Sequence, residues 1–221
     1  MLKSYLLSLP VRIRLRRTSA HVLSASLAVL ALSSPSSMAQ TEVPFDQKPT
    51  QVYSIAGHLA DLKFKLSRAG NQTLDNEQLQ GKVVLVFFGY ASCPDICPTT
   101  MAELTDVLHE LGPENAKQVQ IVFVSVDPHR DTPEVLQAYV DAFDNGAIGV
   151  TGNPQEIAEV ARRYRVSYQI EKPKPGADPN NYEVMHAQGV YVFDKKGKAR
   201  LLASNLNFPE EFITKLKTLL N

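Results

Sequence analysis

Lys82-Val83-Val84-Leu85-Val86-Phe87-Phe88 runs without a break into Gly89-Tyr90-Ala91-Ser92-Cys93-Pro94-Asp95-Ile96-Cys97-Pro98. An uninterrupted β-branched and aromatic run of this length suits a central strand covered on both faces of its sheet. Beyond the cysteines, Met101, Leu104, Val107, Leu108 and Leu111 recur at helical spacing until Gly112-Pro113 stops them. A buried strand therefore hands over to an amphipathic helix, and both cysteines of the chain lie at the junction.

The downstream sequence continues the strand–helix alternation. Gln120 to Val126 is a second near-continuous apolar strand, and Thr132, Pro133 and Glu134 supply an N-cap, a first-turn proline and an acid for a helix through Phe143. Asn153-Pro154 opens a third helix, with Ile157, Val160, Ala161 and Tyr164 facing inward, and Val166 to Ile170 reads as a short strand. Lys172 to Asn181, with three prolines, is a loop. Two strands follow, Gln188 to Phe193 and Ala199 to Ala203, joined by the hairpin signal Asp194-Lys195-Lys196-Gly197-Lys198. Pro209 to Leu220 closes the chain as a helix. Upstream, Leu62, Phe64 and Leu66 alternate with lysines as in a half-buried edge strand. Parallel units followed by an antiparallel hairpin and a last helix describe an α/β fold, a thioredoxin-like sandwich with a central mixed sheet flanked by helices.

Charge is uneven along the 221 residues. Lysines and arginines number 23 and so do the acids, yet residues 1–39 hold Lys3, Arg12, Arg14, Arg16 and Arg17 and no acid. The remainder has 18 basic against 23 acidic residues, a net charge of −5. No basic stripe exists to bind nucleic acid. The first 39 residues read as a signal peptide: a basic start, an apolar run from Ala20 to Leu32, and the small-residue exit Ser37-Met38-Ala39 with cleavage after Ala39. An uncleaved anchor is the alternative, but the run is well short of the roughly 20 apolar residues a spanning helix needs. Arg16-Arg17 leaves a twin-arginine route open beside the general one. Residues 40–54 read as a flexible tether, 55–221 as the domain, and the compartment as the periplasm.

Cys93 and Cys97 would close too small a loop for a disulfide between them to stabilise much through chain entropy. Their place at a helix N-terminus lowers thiol pKa values, and thiolate is the form that binds metal or attacks a disulfide. Three residues separate them, where a thioredoxin-like redox pair has two. Residues four apart share a helix face, and two sulfurs each about 2.3 Å from one metal sit roughly 4 Å apart. Soft thiolates select copper(I) or zinc.

A third ligand is wanted, and five histidines are available. His21 leaves with the signal, His58 precedes the edge strand, and His109 lies roughly 18 Å along the helix from Cys97. His129 is at the correct end of the sheet, but Pro128 and Arg130 suggest a solvated turn. His186 precedes a strand expected to run antiparallel to the central one, so its beginning lies beside the central strand's end. Met185 reads as a core side chain at a strand edge, with a thioether ligand as the alternative. Asp127 ends a strand at the same rim, either capping the loop or supporting the ligands.

Phe88-Gly89-Tyr90 through Cys93-Pro94-Asp95-Ile96-Cys97-Pro98, the later Ser125-Val126-Asp127-Pro128 with Arg130-Asp131-Thr132, and His186 ahead of Tyr191-Val192-Phe193-Asp194 resemble the Sco/SenC family over roughly residues 55–220. The resemblance implies copper binding by Cys93, Cys97 and His186, with Asp127 a nearby acid, and a part in assembling the dinuclear copper centre of cytochrome c oxidase. It implies Cu(I) as cargo with Cu(II) as a second state, and as partners a copper-accepting oxidase subunit and a copper donor protein. Family members more often carry Asp before the histidine and Ser after it, where this chain has Met185 and Ala187. A metallochaperone is the first functional reading. A thiol–disulfide oxidoreductase cycling Cys93 and Cys97, acting on the recipient's cysteines or in redox and copper stress, is the second; a peroxidase would want one activated cysteine with an Arg or Thr partner.

Overall fold

Hydrophobic continuity decides where the sheet forms. The computed structural model describes residues 48–221 apart from 174 and 177, so the expected signal peptide lies outside the described residues. The first half holds β1 (Val52–Ser54), β2 (Lys65–Arg68), β3 (Gln72–Asp75), β4 (Val83–Gly89), α1 (Ile96–Leu111), α2 (Pro113–Ala116) and β5 (Val119–Ser125). The second half holds α3 (Pro133–Asp141), β6 (Ile148–Val150), α4 (Pro154–Arg163), β7 (Tyr168–Ile170), β8 (Val184–His186), β9 (Val190–Phe193), β10 (Ala199–Ala203) and α5 (Glu210–Leu220).

Six strands form one mixed sheet in the order β1-β10-β9-β4-β5-β6. β4 runs parallel to β5 and antiparallel to β9, and all seven of its residues are buried. This is the central mixed sheet flanked by helices of a thioredoxin-like α/β sandwich. Helix starts follow local chemistry. Thr132 accepts the Val135 N–H, and Asn153 with Glu156 makes a reciprocal capping box before Pro154.

Two expectations need correction, and two further strands extend the reading. Residues 52–54, assigned to the tether, form β1 against β10, because Ser54, Tyr53 and Val52 complete that strand's open edge. Leu62, Phe64 and Leu66 are buried as their alternation predicts, but Leu62 and Phe64 lie outside any strand; β2 begins at Lys65 and pairs with β3 apart from the main sheet. The short strand after α4 also lies outside that sheet, as β7 paired antiparallel with β8. Finally, β6 continues the sheet beyond β5, built on Ile148-Gly149-Val150. Among the described residues no helix is long and apolar enough to cross a membrane.

Candidate metal centre

β4 ends at Gly89, and its register with β9 pairs Phe87 with Val190, so the start of β9 lies beside the end of β4. The segment entering β9 therefore arrives over the segment leaving β4. Cys97 sits in the first turn of α1 and is fully buried, while Cys93 lies in the preceding loop and is half-buried. The pair was expected on one helix face, but the helix begins only at Ile96. Cys93 belongs instead to a turn closed by its own N–H donating to the Tyr90 carbonyl at 3.2 Å. Pro94, ahead of the helix, disfavours helical geometry at Cys93 before it.

His186 ends β8, and its Nε2 is 3.5 Å from Cys97 Sγ. One ligand-type atom from each of Cys93, Cys97 and His186 falls within 4.8 Å of the others. Ligand atoms at metal–sulfur and metal–nitrogen distances of about 2.0–2.3 Å are spaced by about this much. The other ring nitrogen lies 3.1 Å from the Ala187 carbonyl. For a metal to bind, the proton sits on Nδ1 and is donated to that carbonyl, which frees the Nε2 lone pair for the ion. A backbone oxygen thus orients the ring, and neither Met185 nor Ala187 needs a polar side chain for it. The rings of Tyr90 and Phe87 stand edge-on to the imidazole, with centroids 5.9 and 6.3 Å away.

The two sulfurs are not equivalent. The Cys97 thiol donates to Cys93, and this bond, assisted by His186 and by backbone N–H groups of Asp95 and Cys97, outweighs burial and lowers the Cys93 pKa to about 3. The neighbouring thiolate and burial push Cys97 up, so Cys97 holds its proton. Gly89 makes room for that sulfur: a Cβ there would stand 2.6 Å from Cys97 Sγ and 3.1 Å from the Phe123 ring.

Other residues singled out earlier fall outside this group. His58, His109 and His129 are exposed. Met185 is 55% exposed, not a core side chain, because β8 turns it away from Val184 on the buried side. Asp127 is completely buried and is no part of the three-residue group. Its carboxylate receives the Arg130 guanidinium through Nε and the Tyr182 hydroxyl at 2.8 Å. Asp131 accepts the Ala91 N–H at 2.9 Å and the Ser125 hydroxyl at 2.6 Å, tying the cysteine loop to the end of β5. The sequence reading gave Arg130 to a solvated turn; its side chain is in fact only 12% exposed. No local pattern marks that burial, because the Asn180 and Tyr182 carbonyls that bind it lie 50 and 52 positions further on.

A family model described as SCO1/SenC matches residues 54–221. The chain belongs to the SCO1/SenC family. It is 36% identical over 135 residues to an SCO2-like protein of Rickettsia prowazekii, covering 61% of this chain and 64% of the relative. The match thus spans a little under two thirds of that relative's length. The structure of Bradyrhizobium japonicum ScoI with copper bound aligns with a TM-score of 0.63 at 36% identity, over 72% of this chain and 98% of that one. BsSco, described through a disulfide switch and as a member of the Sco family of cytochrome c oxidase assembly proteins, aligns with a TM-score of 0.54 at 26% identity, over 75% and 98% of the two chains. The SCO1/SenC match begins at the last residue of β1 and includes the entire candidate centre.

Proposed function

We propose that this SCO1/SenC protein carries copper(I) on Cys93, Cys97 and His186 and delivers it to the dinuclear copper centre of cytochrome c oxidase. The observation that carries the reading is the convergence of two sulfurs and one imidazole nitrogen within 4.8 Å. Two soft thiolates with one imidazole suit copper(I) in a three-coordinate site, and a low-pKa Cys93 offers a thiolate without paying for its deprotonation at neutral pH. Copper bound to the related ScoI and the oxidase-assembly description of BsSco support the cargo and the recipient. The donor would be a second copper protein, and export by the sequence at residues 1–39 would place the exchange in the periplasm. Metal leaves by ligand exchange, as a recipient thiolate or imidazole replaces these ligands one at a time.

A second reading is favoured by the same sulfur pair. Cys93 thiolate attacks a recipient disulfide, forming a mixed disulfide and releasing one recipient thiolate. Cys97, passing its proton to the released recipient thiolate, then attacks the Cys93 sulfur of the mixed disulfide and frees the second recipient thiolate, leaving a Cys93–Cys97 disulfide here and the recipient reduced by two electrons. The disulfide switch of BsSco is consistent with such a step.

His186→Ala separates the two. Carrier function predicts loss of tight copper(I) binding and of oxidase assembly in cells, with disulfide exchange intact. Assembly that survives His186→Ala but not Cys93→Ser overturns the carrier reading in favour of the reductase.

A further inference from the structure

β7 and β8 are three residues each and pair only with one another. A two-stranded hairpin of that size is marginal by itself in water. Yet it bears one of the three groups of the candidate centre, and the other two stand on the β4–α1 junction. Val184 packs its side chain into the core, which anchors one end of β8. The residues leading into β8 need a separate hold, and one side chain supplies much of it.

We infer that Arg130 is a positioning residue that latches the histidine-bearing hairpin to the cysteine-bearing loop. The inference rests on the copper reading for its consequence, though not for its geometry. Arg130 Nη1 donates to the carbonyls of Asn180 at 3.0 Å and Tyr182 at 2.8 Å, fixing the backbone that leads into β8. Its guanidinium plane lies over the Tyr182 ring, 3.8 Å from the centroid, and reaches the Tyr90 ring at 5.4 Å. Tyr182 stands four residues before His186; Tyr90 stands three before Cys93 and touches the imidazole edge-on. Asp127, buried at the end of β5, holds the guanidinium through Nε and receives the Tyr182 hydroxyl. One planar cation thus joins the hairpin, the cysteine loop and the sheet. Its Nε and Nη1 bind carboxylate and carbonyls while its Cζ sits over the Tyr182 ring, a combination the point charge of a lysine does not reproduce.

Without the fork, the hairpin end is released while α1 still holds Cys97 and the turn on Tyr90 still holds Cys93. Arg130→Gln and Arg130→Lys are compared with the wild type in two measurements. In the reduced, metal-free full-length protein, backbone amides of residues 182–187 should exchange with deuterium at least tenfold faster in both variants, with β4 and α1 amides unchanged. With copper(I) added, affinity should fall by about 10–100-fold, the range seen for partners that orient metal ligands. X-ray absorption should show nitrogen lost from the shell while both sulfurs remain. Unchanged exchange in the hairpin overturns the latch, as does faster exchange with unaltered affinity and coordination. Should the wild-type shell lack nitrogen, the copper reading falls, and the exchange measurement alone decides the latch. If Arg130→Gln fails to fold, Tyr182→Leu, which takes away the ring under the guanidinium, takes its place. Acceleration confined to 182–187 upholds the latch there, and no acceleration overturns it.

Discussion

Cys97 Sγ and His186 Nε2 stand 3.5 Å apart although 89 positions separate them in the chain. The approach is a product of sheet topology: β9 runs antiparallel to β4, so the residues entering the one must pass over the residues leaving the other. Cys93 joins them through a turn, not a helix face, and this turn makes the two sulfurs chemically different.

That difference is measurable by alkylation. In the reduced protein Cys93, with its pKa lowered to about 3, stays a thiolate as the pH falls, whereas Cys97 retains its proton above neutrality. Iodoacetamide should modify Cys93 at a rate nearly flat from pH 5 to 8 and leave Cys97 largely untouched, as read by peptide mass mapping. A Cys93 rate rising tenfold per pH unit across that window contradicts the assignment.

Gly89 has no backbone need for glycine, but its missing Cβ is where Cys97 sulfur fits. Gly89→Ala should destabilise the fold by about 1–3 kcal/mol through overpacking against Cys97 and Phe123. Chemical denaturation gives the first quantity. Copper(I) affinity should fall with it, because the sulfur has nowhere to retreat but out of line with Cys93.

Asp131 ties Ala91 to Ser125 with one carboxylate oxygen, while burial raises its pKa. A raised folded-state pKa contributes stability that is complete below the unfolded value, about 3.9, and lost as pH rises through the folded one. Asp131→Asn keeps an oxygen acceptor and removes the titration. Its stability relative to the wild type should therefore increase as the pH is taken from 4 to 7, whatever the constant cost of the buried amide. A difference that shrinks over this range rules the account out.

The capping box of α4 provides a control far along the chain from the centre. Asn153→Ala removes an acceptor used by the N–H groups of Gln155 and Glu156 and should cost about 0.5–2 kcal/mol. Copper(I) affinity and coordination should not change, which a titration beside the thermal melt would establish.

Much of this was legible because the signals were local. The run through Phe88 becomes the fully buried β4, and Thr132 and Asn153 cap the helices their neighbours announce. His186 could be picked among the histidines because an antiparallel return strand has one end at the cysteine rim. What was hidden depends on partners remote in sequence. β8 is three residues long and exists through pairing with β7 across a proline-containing loop, so no periodicity marks it. β6 has a glycine at its centre. Arg130 looked solvated because its carbonyl partners lie 50 and 52 positions away, and a charge seen alone in sequence is most often at the surface. Alternation correctly buried Leu62, Phe64 and Leu66 but could not tell a core-facing loop from an edge strand.

Cys97 is wholly enclosed, whereas Cys93 and His186 are each partly open to solvent. On the proposed carrier reading, a copper(I) ion entering from outside meets the outer sulfur and the imidazole first and bonds to the inner sulfur last. A docked acceptor faces the reverse sequence: it can compete for the two outer bonds directly, and the inner one breaks only as the ion departs. The depth gradient across three side chains thus gives the pathway of exchange a direction that the ligand identities by themselves do not.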